Sequence, residues 1–250
     1  MDPERPWYET AFDADYPLLQ RYEDGWTEVQ ALSLETLLEV PPRARILDLG
    51  CGYGRHCRAW RAGGHNPVGI DLSPHLLQMA REAEPGGAWV RGDFRRLPFA
   101  PDRFDAAALM FITFGYFADR AEDLAALREA RRVLRPGGGI FLEIKHPGHL
   151  RTHIPADASY SLGETEVDES SRIEEVEGEE RYIIRRVFRR PGREAHRHRY
   201  SIRLYEPEAI RSLLQEAGFA NVRLHAEYTG GPASPDRPRL IVTARKGGEE

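Results

Sequence analysis

The chain has 250 residues, with Lys+Arg 35 against Asp+Glu 40 for a net charge of -5, 41% hydrophobic and 30% charged residues, 23 glycines and 18 prolines. That length leaves room for one or two domains, and the composition excludes a disordered tail, a collagen-like chain and a small disulfide scaffold. The longest uncharged apolar stretch, 106–118, has 13 residues, short of the ~20 that span a bilayer. The first residues lack the basic start and apolar core of a signal peptide. Cys51 and Cys57 are the only cysteines. A cytoplasmic protein without a membrane partner is expected. Lys145 and Lys246 are the only lysines, an arginine bias that fits either a heat-adapted source or a GC-rich genome.

Residues 1–40 read as an amphipathic helical cap, with Trp26, Val29 and Leu32 at helical spacing before Pro41-Pro42 end the helix. Arg45 to Leu49 reads as a first strand, followed by a glycine-rich turn and a helix near His56 to Ala62. Pro67 to Ile70 is a second strand, then a helix from Pro74 to Glu84; Trp89-Val90 and Phe104 to Leu109 are the third and fourth strands. Leu124, Leu127, Ala130 and Leu134 line one helix face that Pro136 to Gly139 should end, before a fifth strand, Ile140 to Ile144. Such alternation predicts βαβ units and a parallel sheet.

After Lys145 the pattern changes. Residues 164–180 carry nine acids and one base, and residues 181–203 carry nine arginines and one acid. Gly178 and Pro191-Gly192 punctuate apolar runs there, which predicts an antiparallel meander whose opposite charges pair across strands. The alternative is an anion or RNA surface, since Tyr182, Phe188 and Tyr200 are interleaved with the arginines. Ile210, Leu213, Leu214 and Ala217 form a last helix face closed by Gly218, before strands at 222–228 and 240–244. The economical reading is a single domain over 1–250, with a cap at 1–42, a core at 43–145 and 204–246, and a β-rich insertion at 146–203.

Gly50, Gly52 and Gly54 stand where the first strand turns into the first helix, so the backbone there can take positive φ and approach a ligand closely. The spacing is GxGxG, not the GxGxxG of a dinucleotide fingerprint. Asp71, at the tip of the second strand, can accept hydrogen bonds from both hydroxyls of a ribose. Asp93-Phe94, beyond the third strand, can pair an adenine amine with the Asp93 side chain and a ring nitrogen with the next N–H. Strand-end capping for Asp48 and Asp71, and a surface turn for Asp93, are the alternatives. Adjacent strands put these groups along one crevice, suited to an adenosine with a short zwitterionic tail.

Six motifs in order carry a family resemblance: Ile46-Leu47-Asp48-Leu49-Gly50-Cys51-Gly52-Tyr53-Gly54, Gly69-Ile70-Asp71-Leu72-Ser73, Gly92-Asp93-Phe94, Phe104-Asp105-Ala106, Val133-Leu134-Arg135-Pro136-Gly137-Gly138 and Ala217-Gly218-Phe219. Over about residues 45–145 and 200–246 the chain resembles class I S-adenosylmethionine-dependent methyltransferases. That implies an α/β, Rossmann-like, seven-stranded and mostly parallel sheet with helices on both faces. It also implies S-adenosylmethionine as cofactor and S-adenosylhomocysteine as product. By the resemblance, Asp48, Gly50 and Gly52 hold the methionine end, Asp71 the ribose, Asp93 and Phe94 the adenine, Met110 packs against the cofactor, and Cys51 and Leu72 also belong to the cofactor site. Tyr16 or Tyr22 of the cap would touch it. The run Met110 to Phe117 is similar to small-molecule N-methyltransferases of the amino-sugar type.

The implied reaction moves a methyl group to a nitrogen or oxygen of a small molecule. His146 and Tyr116 are the candidate catalytic residues, His146 as a base at the crevice mouth, with an ordinary loop histidine as the alternative, and Tyr116 as one of a group with Phe111, Phe114 and Phe117 that either cages a cation or belongs mostly to the core, with Tyr116 the exception. A metal at His146, His149 and His153 finds only Asp157 as a nearby carboxylate, so no metal is expected. His196 and His198 are expected to be solvated, and the insertion to roof the substrate or pair with a second subunit. The other readings are an RNA-modifying methyltransferase, a nicotinamide-dependent oxidoreductase and a non-catalytic cofactor-binding module.

Overall fold

The computed structural model describes residues 6–19 and 25–247, which form two sheets with flanking helices. Tyr22 lies outside the described residues. The cap is less helical than its sequence predicts: two 3-10 turns, Trp7–Glu9 and Tyr16–Leu19, precede α1 (Trp26–Leu37). The core then alternates as expected: β1 (Arg45–Leu49), α2 (Arg55–Ala62), β2 (Asn66–Asp71), α3 (Pro74–Ala83), β3 (Ala88–Arg91), β4 (Phe104–Leu109), α4 (Arg120–Val133) and β5 (Leu134–Lys145). Ser73 and Asp119 cap α3 and α4 by accepting from the N–H groups of Leu76 and Glu122 at 3.2 and 2.9 Å, as short polar side chains do at helix starts.

One boundary differs from expectation. The α4 helix stops at Val133, and β5 starts at Leu134 and runs straight through Pro136-Gly137-Gly138, with an irregularity opposite β4. The proline and glycines kink a strand here instead of making a free loop.

Beyond β5 come α5 (Pro147–Thr152), which takes the place of the loop expected there, and the strands β6 (Ala158–Leu162), β7 (Thr165–Val176), β8 (Glu179–Arg189) and β9 (His196–Arg203). These four form the expected antiparallel meander as a separate sheet in the order β6-β7-β8-β9. Acids and arginines do pair across it: Arg186 meets Glu169 at 2.5 Å and Arg185 meets Glu174 at 2.7 Å, and Arg189 pairs with Asp168. The chain closes with α6 (Pro207–Glu216), β10 (Phe219–Glu227), β11 (Gly230–Pro232) and β12 (Arg239–Lys246).

The large sheet runs β11-β10-β12-β5-β4-β1-β2-β3. The five strands from β3 to β5 are parallel, and β12, β10 and β11 are antiparallel to their neighbours. This is the seven-stranded arrangement with the three-residue β11 added at its edge. Alternation along each strand divides the core in two. Leu47, Leu49, Ala107, Leu109, Ile140 and Leu142 pack with α4 and α6. Ile46, Ala106, Ala108, Phe141 and Ile241 pack with Ala31, Leu34 and Leu38 of the α1 region and with Trp60 of α2. By the same parity the buried carboxylates Asp48 and Glu143 fall on that second side.

Candidate functional site

At the carboxyl ends of β1, β2 and β4 a cleft opens, enclosing about 620 Å³ that is partly open to solvent. Tyr16, Gly50, Gly52, Asp71, Leu72, Asp93, Phe94 and Tyr116, all expected from the sequence, line it together. Cys51 and Met110 line an adjoining chamber that shares Tyr16, Gly50 and Gly52 with the cleft. Two predicted residues are elsewhere. Asp48 is buried beneath the loop, where its Oδ2 accepts from Cys57 Sγ at 3.5 Å, and it lines neither space. His146 caps α5, buried, with its Nδ1 unpartnered among the described residues, and it too is absent from both walls. The turn after β5 carries the histidine away from the crevice mouth, because α5 starts at once.

The glycine loop is shaped by contacts a side chain would destroy. Gly50 has φ +75°, and a Cβ there would lie 2.3 Å from Thr113 Cγ2; at Gly54, φ +78°, it would lie 2.3 Å from Trp89. The loop amides are turned inward. Gly50 N–H and Cys51 N–H both donate to Ile70 O (2.8 and 3.1 Å), Gly52 N–H to Asp71 Oδ2 (2.8 Å) and Gly54 N–H to Cys51 O (3.0 Å). These four donors are therefore spent inside the protein, unlike the free amides that cradle a pyrophosphate.

Asp71 accepts from Gly52 N–H on one oxygen and from Ser73 N–H on the other, each at 2.8 Å. Each oxygen keeps a further lone pair. Burial raises the Asp71 pKa, and the backbone N–H groups offset that only in part. At Asp93 burial also pushes upward, but the Arg95 guanidinium outweighs it and holds the carboxyl below the usual range. Arg95 Nε lies 3.1 and 3.0 Å from the two Asp93 oxygens, pairs with Glu122 as well, and stacks 4.4 Å from the Phe117 ring centre.

Sequence reasoning missed part of the wall. Tyr8 and Phe12 come from the N-terminal segment, and Thr113 from the turn after β4, beside the expected Phe117. Ser73 Oγ donates to Phe12 O at 2.6 Å, and Phe12 stacks on Tyr116 with ring centres 5.8 Å apart, so residues 7–16 form a cover held at both sides of the cleft. Of the four aromatics after β4, Phe114 is core beside Tyr205, Phe117 is buried yet reaches the cleft, Tyr116 lines the cleft and Phe111 lines the adjoining chamber.

Phe111 and Ile112 hold φ of +54° and +64°, a conformation that bulky and β-branched residues avoid. Glu143 enforces it: its Oε2 accepts from Phe111 N–H at 2.9 Å and its carbonyl from Ile112 N–H at 3.1 Å. Arg239 Nε, 3.0 Å from Glu143 Oε1, anchors that carboxylate in turn. In the same chamber His56 faces Gln30 Oε1 at 3.1 Å, and burial together with the adjacent Arg55 pushes its pKa well below 6.5, so the imidazole is neutral.

Residues 46–138 match the family model of a methyltransferase domain. A malonyl-[acyl-carrier protein] O-methyltransferase of Erwinia pyrifoliae is 39% identical over 128 residues, 50% of this chain and 47% of that protein. The chain thus spans about half the length of such curated relatives. Among solved structures, the CcbJ methyltransferase from Streptomyces caelestis superposes with a TM-score of 0.78 at 18% identity, over 96% of this chain and 99% of that one. The SAM-bound CalS10, an amino pentose methyltransferase from Micromonospora echinaspora, superposes with a TM-score of 0.69 at 21% identity, over 93% and 95% of the two chains. The fold and the methyltransferase resemblance expected from the six motifs are both borne out.

Proposed function

We propose that the chain is a methyltransferase that takes a methyl group from S-adenosylmethionine to a nitrogen or oxygen of a small molecule, and that it works in the cytoplasm. The observation that carries this reading is the pairing of an inward-turned glycine loop with an available carboxylate at Asp71. With its amides spent, the loop suits a cationic amino-acid end better than a phosphate, which argues against a nicotinamide dinucleotide. The lone pairs left on Asp71 suit two vicinal hydroxyls, and Asp93-Phe94 and Leu72 line the cleft beside it for an adenine. The opposite charges of the insertion cancel across its strands, which leaves less support for an RNA substrate.

When bound, the cofactor supplies a methyl carbon made electrophilic by its sulfonium. The chain's own residues then approximate, orient and exclude water. Gly50 and Gly52 let the backbone come close, and Asp71 fixes the ribose. Tyr8, Phe12 and Phe117 keep water from the cleft. Met110, Phe111 and Tyr16 wall the adjoining chamber, which we assign to the methyl acceptor. A protonated amine must lose its proton before it can attack. Tyr116 lines the cleft and not this chamber, so it is not placed against the acceptor, while neutral His56 replaces His146 as the imidazole on the chamber wall.

Calorimetry with S-adenosylhomocysteine tests the reading: one site per chain is expected, and absence of binding overturns it. The Asp71→Ala variant loses both ribose acceptors and the anchor of Gly52, and should bind at least about 100-fold more weakly, equivalent to about 2.7 kcal/mol. Unchanged affinity in that variant would remove Asp71 from the cofactor site.

A further inference from the structure

We propose that Asp13, His196 and His198 form a binding site for a divalent transition metal of the zinc type, which pins the N-terminal cover of the cleft to the insertion sheet. The three offer ligand atoms that lie within 4.8 Å of one another. His196 and His198, two apart on β9, share one face of the strand. Both are expected to be solvated; His196 is half-exposed, but the His198 side chain is only 2% exposed, because residues 11–15 pack over it.

Each ring has a partner for its outer nitrogen. Tyr200 donates its hydroxyl proton to Ala11 O at 3.2 Å, and its oxygen lies 3.3 Å from His198 Nδ1, where it can accept. His196 Nδ1 lies 3.4 Å from Asp15 Oδ2 and 3.6 Å from Asp13 Oδ2, acceptors for a proton on that nitrogen. With the ring protons on Nδ1, the two Nε2 lone pairs face each other at 3.2 Å, and His198 Nε2 faces Asp13 Oδ2, also at 3.2 Å.

In that tautomer three acceptors converge, and a single metal ion would take a lone pair from each. Ligands held at about 2.0–2.1 Å around a tetrahedral zinc stand about 3.3 Å apart, close to the 3.2 Å that separates His198 Nε2 from His196 Nε2 and from Asp13 Oδ2. Each ring donates its other N–H to a fixed partner, Asp15 for His196 and Tyr200 for His198, the outer support typical of metal-bound histidine. The nearby charges allow it: Arg190 is paired with Asp15, and Arg186 with Glu169 while stacking on Tyr200. Asp13 leads directly from Phe12 toward Tyr16, both of which line the cleft.

The site stands independently of the methyltransferase reading, and its test needs no activity. The full chain, stripped with a chelator, is titrated with Co2+ and followed by the visible absorption of a tetrahedral ion, then with Zn2+ by calorimetry. One site per chain is expected. His198→Ala and Asp13→Asn should weaken it by more than about 100-fold, and Asp15→Asn by about 10- to 100-fold. His196→Ala, at a more exposed position, should do as His198→Ala does while circular dichroism stays native. The double variant His149→Ala/His153→Ala, which removes the stacked pair on and just beyond α5, should bind as the parent does. A missing absorption band overturns the site, as does affinity that survives His196→Ala and His198→Ala or is lost with His149 and His153.

Discussion

Arg203→Ala is expected to destabilise the fold by about 3–5 kcal/mol, the cost of leaving one member of a buried ion pair alone. Arg203 ends β9 and is nearly inaccessible, as is its partner Asp123 on α4. Its guanidinium also reaches Glu179 Oε2 at 2.6 Å and Ala118 O at 2.9 Å, while Tyr205 donates to the same Asp123 oxygen at 2.7 Å. The backbone joins in, with Arg203 N–H donating to Gly115 O at 2.8 Å. A Cβ at Gly115 would come 2.8 Å from Arg203 O. One residue thus ties the insertion, α4 and the turn that carries Thr113, Tyr116 and Phe117 into the cleft.

For a chain of this size the loss corresponds to a Tm lower by about 10 °C, read by calorimetric or fluorescence melting. The pair itself is tested by Arg203→Met combined with Asp123→Leu. Removing both charges should recover much of the loss, because an apolar pair leaves no uncompensated ion. A double variant as unstable as Arg203→Ala would show that the ion pair is not the cause. Weakened S-adenosylhomocysteine binding in Arg203→Ala, measured well below its Tm, is expected from the loosened 113–117 turn.

The difference between Asp71 and Arg203 explains what could be read in advance. Asp71 sits at a fixed distance from the glycine loop along one βα unit, so local spacing carries its position. Arg203 lies in a run of arginines that look alike in sequence, and what buries it is α4, 80 residues away. His198 is the same case. Strand parity puts it beside His196, but its burial depends on Ala11, 189 residues away from Tyr200. The Phe111-Ile112 backbone opposes local propensity outright, and Glu143 on the neighbouring strand accepts from both N–H groups there. Spacing within β1, β2, β3 and their turns therefore carried these parts of the cleft wall, while the cover, the turn after β4 and the ion pairs arise from packing between distant segments.

Asp48 is buried on β1 beneath the glycine loop, and its surroundings lead to a pH effect of comparable size. Burial raises its pKa from 3.8 to about 7, with Cys57 and Arg55 only partly compensating and Asp71 adding to the rise. The folded chain therefore holds a proton on Asp48 that the unfolded chain releases between those values. Below about pH 4 both states are protonated and the group contributes no slope. From there to about pH 7 the folded state binds more protons, so stability falls as pH rises, by up to about 4 kcal/mol in all. Above pH 7 the loss is complete.

Asp48→Asn should abolish this slope. Compared with the parent it should be more stable at pH 8, by up to about 3 kcal/mol once about 1 kcal/mol is allowed for a weakened bond to Cys57. The two should differ little at pH 4.5. Urea midpoints of both proteins at the two pH values measure it, and subtracting one protein from the other removes what Asp71, whose raised pKa acts in the same direction, contributes independently of Asp48. A slope that persists in the variant would sink the assignment to Asp48. The same group links stability to the proposed cofactor: a cationic amino-acid end over the loop favours ionised Asp48, so binding at pH 6 should release a proton that the Asn variant does not release. Calorimetry in two buffers of different ionisation enthalpy measures that proton, and equal release by both proteins would leave Asp48 as a buried residue without influence on the ligand.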